Sequence, residues 1–414
     1  MGIPDALPAT RMRDDSALRR NLGLDLTAAV GVGVTFGLFT ALLPTVGRRA
    51  GMDELGLAML GAAPFLANAL GMWAGRWGPR SPRNLAVLRA LGAALLVALV
   101  LAPAPPVMVL VATIYWLTMS FGNPFQARMW GAIYPSRLRG RLLGLLGTGR
   151  AAAGGIAVLI AGLLAASLGD VPALAVVGVV GMVLVLAHSG IRAPAAADPP
   201  RFSARASIRV LNGKPALRLA LMAQAFYGGG LIAAAPLYAL VQVDRLHLSM
   251  AEVGFIGLLA AASTTVSYLA WGSLADRKGG QLLLGLASVL GLFSLLIWAV
   301  TPSVLLLYLA AISGGLAGAG IDLGLQSVMI SGVPSEERGA VMAGWNALTG
   351  IRGVAAPFVA TALVQFGWLS VTGALLACAV ATAIGMVLYV RSVLPAAAQD
   401  RLPDLRRRLA LLRA

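Results

Sequence analysis

Asp322, within GAGIDLGLQ, and Arg352, within LTGIRGVAAP, place a carboxylate and a guanidinium inside runs that are otherwise apolar. A charge at the middle of a membrane helix costs roughly 2.5 to 3.5 kcal/mol even on the gentler insertion scale, so each residue needs a partner or a task. At about 1.5 Å per residue both lie roughly 15 to 20 Å deep, and antiparallel neighbouring helices would bring them to pairing height. Three chemistries fit the pair. Asp322 can titrate while Arg352 holds it, the two can receive an anionic substrate, or they can form a structural ion pair, which need not add stability. Asn123 stands 199 residues before Asp322, and Arg150, within GTGRAAAGG, matches Arg352 with a slip of three. The first half of the chain is therefore expected to set an Asn–Arg pair at similar depth. Gln126 follows Asn123 and Pro124, and the proline is expected to break the helical ladder and free a carbonyl for ligand. Asp25 is predicted in the first turn of the first helix, where a carboxylate complements the dipole or takes part in proton coupling.

Such residues need a scaffold that crosses a bilayer. Of the 414 residues 59% are hydrophobic and only 12% charged, about half the charged share of a soluble domain. Runs of about 20 apolar residues, each long enough to cross ~30 Å of hydrocarbon, follow one another along the chain. Helices are predicted near 22–46, 55–75, 84–102, 107–133, 141–168 and 171–190, then near 216–241, 250–273, 281–300, 304–332, 339–366 and 369–391. Punctuation between them comes from APAPP at 102–106, GDVP at 169–172 and TPS at 301–303. The expected fold is an all-α membrane protein of twelve transmembrane helices. A six-helix bundle (1–190), a cytoplasmic linker (191–215), a second six-helix bundle (216–391) and a basic tail (392–414) make up the chain.

Orientation follows the distribution of lysine and arginine, which keeps basic loops on the cytoplasmic side. With both termini inside, 26 of the 32 basic residues fall in cytoplasmic segments, three outside (Arg48, Arg49, Arg245) and three within helices (Arg128, Arg150, Arg352). The first twenty residues hold four arginines and no apolar core, so they are expected to be a cytoplasmic tail. The last thirteen, LPDLRRRLALLRA, either lie on anionic lipid as an amphipathic helix or serve as one more inner positive segment. A net charge of +16 would suit a polyanion partner if it were gathered in one patch, but it is spread over the inner loops, so no nucleic acid is expected.

The inventory for covalent chemistry is short. Cys378 is the single cysteine and lies in an apolar run, so an internal disulfide and a cysteine-cluster zinc site are excluded. His188, at the end of the sixth predicted helix, and His247, in an outer loop, show no ligand spacing. No phosphate-binding loop occurs. The chain is not expected to be an enzyme or to hold a cofactor or metal.

Several short stretches are written twice. YPSRLRG at 134–140 returns as VPSEERG at 333–339, MDELG at 52–56 as MAEVG at 250–254, and GMWAGRWG at 71–78 as GSLADRKG at 272–279. Each pair sits at equivalent points of the two halves, which points to a duplicated unit whose copies run parallel about an axis along the membrane normal. In that setting GSLADRKGG resembles the Gly-x-x-x-Asp-Arg-x-Gly signature of the major facilitator superfamily, with GMWAGRWGPR as its degenerate sister. The resemblance covers nearly the whole chain.

Residue types in that loop have physical reasons. Gly272 is expected to let a helix end approach its neighbour, Asp276 to place a negative charge at the turn, and Arg277 to keep the loop inside. The resemblance implies that Asp276 meets a helix N-terminus of the opposite half. Gly75 stands where the first-half copy should carry an aspartate, so that latch is expected on one side only. The loop at 134–141 carries Arg137, Arg139 and Arg141 to receive Asp276. Glu336 and Glu337, beside Arg338, can face Arg76, Arg80 and Arg83. Otherwise these are solvated loop charges obeying the insertion rule. As a gate set they bias rather than lock, since exposed pairs contribute about 0.2 to 1 kcal/mol each.

The resemblance implies secondary active transport by alternating access. Protons are the expected driving ion and small amphipathic or anionic organic compounds the expected cargo. Export from a monomer in the plasma (inner) membrane is the leading expectation. An importer of a metabolite or a non-transporting receptor or scaffold are the alternatives. The superfamily's antiporter signature, a Gly-Pro-rich run in the fifth helix, is replaced here by RAAAGGIAVLIAGLL without proline.

Overall fold

The computed structural model describes residues 9–71, 78–193, 215–331 and 338–411, and every regular element among them is helical. The helices are α1 (Ala9–Gly37), α2 (Leu43–Arg49), α3 (Glu54–Leu70), α4 (Pro82–Ala98), α5 (Pro105–Ile133), α6 (Ser136–Leu168) and α7 (Asp170–Val185). After them come α8 (Pro215–Ala234), α9 (Leu237–Leu240), α10 (Met250–Lys278), α11 (Gly280–Val300), α12 (Val304–Ser331), α13 (Arg338–Gln365) and α14 (Val371–Leu411). Ten helical runs among the described residues are long and apolar enough to cross a membrane, while α3 and α4 have 17 residues each. The expected linker falls largely on residues 194–214, outside the described residues.

Local chemistry explains the boundaries. Ser81 caps α4 by accepting the Asn84 amide at 3.2 Å, with Pro82 at the first helical position. Asp53 takes the Gly56 amide at 2.8 Å ahead of α3, and Ser249 and Glu252 cap α10 reciprocally. Gly169, at φ +88°, and Gly279, at φ +85°, turn α6 into α7 and α10 into α11 with almost no loop, a backbone state that side chains rarely adopt. A π-helical turn joins α1 to α2 at Leu38–Leu42, and another follows α9 at Val241–Arg245. They stand at equivalent points of the two sequence halves.

Packing divides the chain into two compact units. The first comprises residues 1–50, 70–200 and 249–258; the second comprises 51–69, 201–248 and 259–414. In the first, α1 packs on α6 and α7, and α4 on α5 and α7. A Cβ on Gly31 of α1 would lie 2.7 Å from the Gly181 carbonyl of α7, so this crossing exists only because the residue is glycine. In the second unit α11 packs on α12, and α8 on α13 and α14. Gly230 of α8, 199 residues after Gly31, meets the Cys378 carbonyl of α14 in the same way. The glycine run at 228–230 therefore serves close packing.

Arginines expected outside have local partners. Arg49 pairs with Asp170 at 3.3 Å, and Arg245 donates to the Trp298 and Ala299 carbonyls at 2.6 and 2.8 Å, neutralising the C-terminal end of α11. Two sequence expectations are corrected. Asp25 is not in a first helical turn, because α1 begins at Ala9 and the residue lies mid-helix. Arg89, counted above among cytoplasmic positives, is 2% exposed inside α4.

Candidate functional site

In the first unit the polar residues converge. Asp25 on α1 is fully buried, and its Oδ2 accepts the Trp130 indole N–H and the Tyr134 hydroxyl, each at 2.7 Å. Its other oxygen, Oδ1, lies 3.3 Å from His188 Nε2 without the alignment of a hydrogen bond. His188 is also fully buried, in the 3₁₀ turn Leu186–Gly190 that closes α7. Gln126 Nε2 lies 3.5 Å from the same ring nitrogen, while Gln126 Oε1 accepts from Arg89 at 2.7 Å. Arg89 also reaches the exposed Asn123 Oδ1 at 3.5 Å.

One face of α5 organises this chain of contacts. Asn123, Gln126 and Trp130 are spaced three and four apart, so they lie above one another, and Tyr134 just past the helix continues the row. Pro124 does not interrupt the helix, and the expected ligand carbonyl gives way to the Gln126 side chain as the functional group of this stretch. Leu85, Phe125, Met129 and Ile191 form a buried apolar cluster on which Trp130 of the network packs. A buried carboxylate without partners would be costly, and here two donors and an imidazole face it. Arg150, the expected partner of Asn123, lies elsewhere: it is exposed on α6 with its guanidinium 5.9 Å from the Phe36 ring centroid.

The second unit arranges neutral partners around its arginine. Arg352 on α13 donates to the Gln224 backbone carbonyl, beside Gly228 and Gly229 of α8, whose missing side chains leave the space the guanidinium fills. Gln224 Oε1 accepts the Tyr389 hydroxyl at 2.5 Å, and Tyr389 packs edge-on to Tyr227. Asp322 is exposed and accepts the Tyr268 hydroxyl at 3.0 Å. The expected Asp322–Arg352 pair is thus not formed, because each has taken a neutral partner from a different helix.

Gln224 stands 199 residues after Asp25, so the two units bury a polar residue at the same point of the repeat and each accepts a tyrosine hydroxyl there. Only the first unit makes that residue ionisable. Sequence reasoning missed His188 and Arg89. Two histidines without ligand spacing carry no metal signal, and Arg89 counts among the positive residues although its run, NLAVLRALGAALL, is apolar on both sides.

Of the residues expected to form an inner gate, Asp276 and Arg277 are exposed in the last turn of α10. A Cβ on Gly272 would meet open space, so that glycine serves no close approach in this structure. Arg139 donates to the Gly131 and Tyr134 carbonyls at 2.9 and 3.1 Å, closing the end of α5. Arg76, Glu336 and Glu337 lie outside the described residues, as does the side chain of Arg338. No group of three or more candidate metal ligands occurs among the described residues.

This arrangement of long apolar helices, duplicated packing points and a few buried polar residues defines a polytopic membrane protein of transporter type. The model of the Major Facilitator Superfamily matches residues 26–289 and 220–413, and the chain belongs to that family. Its fold is similar to that of a point-mutant form of the nucleoside transporter NupG, with a TM-score of 0.72 and 15% identity over 90% of this chain and 99% of that one. A POT family transporter in complex with a thioalcohol-conjugated peptide gives a TM-score of 0.70 at 11% identity, over 91% and 96% of the two chains. A bacterial homolog of the human lysosomal transporter Spinster, inward-facing and occupied, gives 0.66 at 15% identity over 91% and 96%. No curated protein matches the chain.

Proposed function

We propose that the protein is a proton-coupled secondary transporter that exports small anionic or amphipathic organic compounds by alternating access through twelve spans, as a monomer in the plasma (inner) membrane with both termini inside. The observation that carries the cargo class is that each unit holds an arginine with no carboxylate against it among the described residues. Among the described residues Arg352 donates to a carbonyl, and Arg150 lies over an aromatic face. A guanidinium so placed keeps its charge available to a carboxylate or phosphate of the cargo, which it can hold through paired N–H donors. Asp322, with Tyr268 as its neutral partner, and Asn123, beside Arg89, are proposed as polar contacts for the rest of the cargo.

Opening at the cytoplasmic side is proposed to be biased by the exposed end of α10, with Asp276 and Arg277, and by Arg139 in the first turn of α6. Gly272, Arg76, Glu336, Glu337 and Arg338 complete this set.

The test is a thermal-shift screen of the purified protein against organic anions, followed by flux of the hits in proteoliposomes under an imposed pH gradient. Outward movement of an anion that collapses with an uncoupler, and that falls at least about tenfold in Arg352→Ala, is expected, since losing a charge-assisted bond is worth about 1.5 to 3 kcal/mol. Movement of cations alone would overturn the cargo class. Inward-only movement would replace export by uptake.

A further inference from the structure

The buried network of the first unit has a property that anion transport does not require. Arg89 holds Gln126 by its oxygen, which turns the Gln126 amide nitrogen toward His188 Nε2. The same ring nitrogen also faces Asp25 Oδ1 at 3.3 Å. A donor and an acceptor therefore compete for one atom. If Nε2 carries a lone pair, it receives the Gln126 N–H and confronts the carboxylate lone pairs. If Nε2 carries a hydrogen, it bonds Asp25 and confronts the amide. Neither arrangement satisfies both contacts; the second is reached from the first either by shifting the ring hydrogen from Nδ1, which has no hydrogen-bond partner among the described residues, or by adding one proton to the pair. Asp25 Oδ1 has no hydrogen bond as it stands.

We infer that Asp25 and His188 together form a proton-binding site. Loading adds one proton from water to the facing pair of atoms, Oδ1 and Nε2, so that a hydrogen bond joins them, and unloading returns the proton to water. No other bond is made or broken. This inference deepens the proton-coupled reading above by naming where the coupling proton sits, and it rests on that reading only for the purpose of the site.

The surroundings fit a single-proton device. Among the described residues Arg89 from α4 and Tyr134, just past α5, are ionisable groups that reach the pair, with Tyr115 of α5 and Arg150 of α6 acting through Arg89. Arg20 of α1 is engaged by the Gly190 carbonyl at 2.7 Å, and Asn21 by the backbone of Arg192. The pair itself has no exposure, so a proton that enters is held away from bulk water. The matching position of the second unit carries Gln224, which cannot titrate.

The site is also wired to a moving part of the proposal. Tyr134 gives its hydroxyl to Asp25 and receives Arg139 on its carbonyl. A change of charge on Asp25 therefore alters the hold on the residue that precedes the arginine-bearing start of α6.

The chain contains only two histidines, His188 and His247, and His247 is exposed. Imidazole NMR of the full-length protein labelled with ¹³C at histidine Cε1 thus yields two signals, and His247→Gln assigns them. The His188 signal is expected to follow a one-proton titration within the pH range of the folded protein. In Asp25→Asn that titration is displaced by about one pH unit or more, as removal of a neighbouring charge demands. Should Asp25→Asn not fold, Tyr134→Phe, which keeps both Asp25 and His188 and removes one donor to the carboxylate, is expected to displace the His188 titration as well. A His188 signal that does not change with pH, or a titration that is the same in every folded variant, overturns the inference. Flux that ignores an uncoupler while His188 still titrates would remove proton-driven transport and leave the site standing, so the two failures are told apart.

Discussion

Tyr134 lies one residue beyond α5 and donates its hydroxyl to Asp25 Oδ2 at 2.7 Å, joining the end of α5 to the middle of α1. Both partners are buried, so the bond is made where no water can replace it. Tyr134→Phe keeps the ring and removes one of two donors to a buried carboxylate, a loss of about 1 to 3 kcal/mol. Thermal unfolding in detergent is expected to show a lowered midpoint. Trp130→Phe removes the other donor, and the double variant is expected to depart from additivity because both bonds end on the same oxygen. Additive losses would mean that the two donors stabilise the carboxylate independently of each other.

Arg245 tests whether an arginine outside the basic inner segments has a structural reason. Its guanidinium closes the last carbonyls of α11 and also meets the Thr372 hydroxyl at 3.1 Å at the start of α14. Arg245→Ala is expected to cost about 1 kcal/mol through the lost cap and dipole contact. In the proposed orientation the residue opposes the positive-inside bias, so its removal is expected to leave topology reporters fused to the termini unchanged. A variant with wild-type thermal stability would show that the cap carries no weight.

Glycine positions separate into two kinds with opposite outcomes. Gly31→Leu and Gly230→Leu push a side chain into the backbone of α7 and α14 respectively, and neither crossing can yield without parting the helices. Both variants are expected to fail to accumulate as monodisperse protein in size-exclusion chromatography. Gly272→Ala meets open space and removes a poor helix former from the interior of α10, so a gain of up to about 1 kcal/mol is expected. If that variant is stable yet loses flux, Gly272 serves a close approach in another conformation, as the family signature implies.

Much of the helical scaffold could be read from the chain because membrane helices announce themselves by length and hydropathy alone, and the offset of 199 residues that pairs Asn123 with Asp322 also pairs Gly31 with Gly230 and Asp25 with Gln224. The polar interior was less legible. Asp322 and Arg352 stood out as charges in apolar runs, yet which side chain meets which depends on helix rotation, and sequence spacing cannot supply it. Arg89 sits 37 residues before Gln126, and His188 sits 62 after it. Such partners meet only once three helices have packed. The row Asn123, Gln126, Trp130, Tyr134 was available from helical periodicity, and reading α5 by its polar face instead of by Pro124 would have found the network.

Cys378 gives these variants a common control. It is 7% exposed on α14, at the crossing where Gly230 admits the backbone, and its carbonyl also accepts the Thr382 hydroxyl at 2.9 Å. A maleimide must reach the thiol through that packed crossing, so the native protein is expected to label slowly and to take up one equivalent only on unfolding. Since no other cysteine exists, fluorescence from a thiol-reactive dye during heating then reports separation of α14 from α8 directly. Variants of the first unit, such as Tyr134→Phe, are expected to shift this signal less than they shift total tryptophan emission. Rapid labelling of the native chain would mean that α14 parts from α8 without unfolding, and the crossing at Gly230 could not then be one of the fixed contacts of its unit.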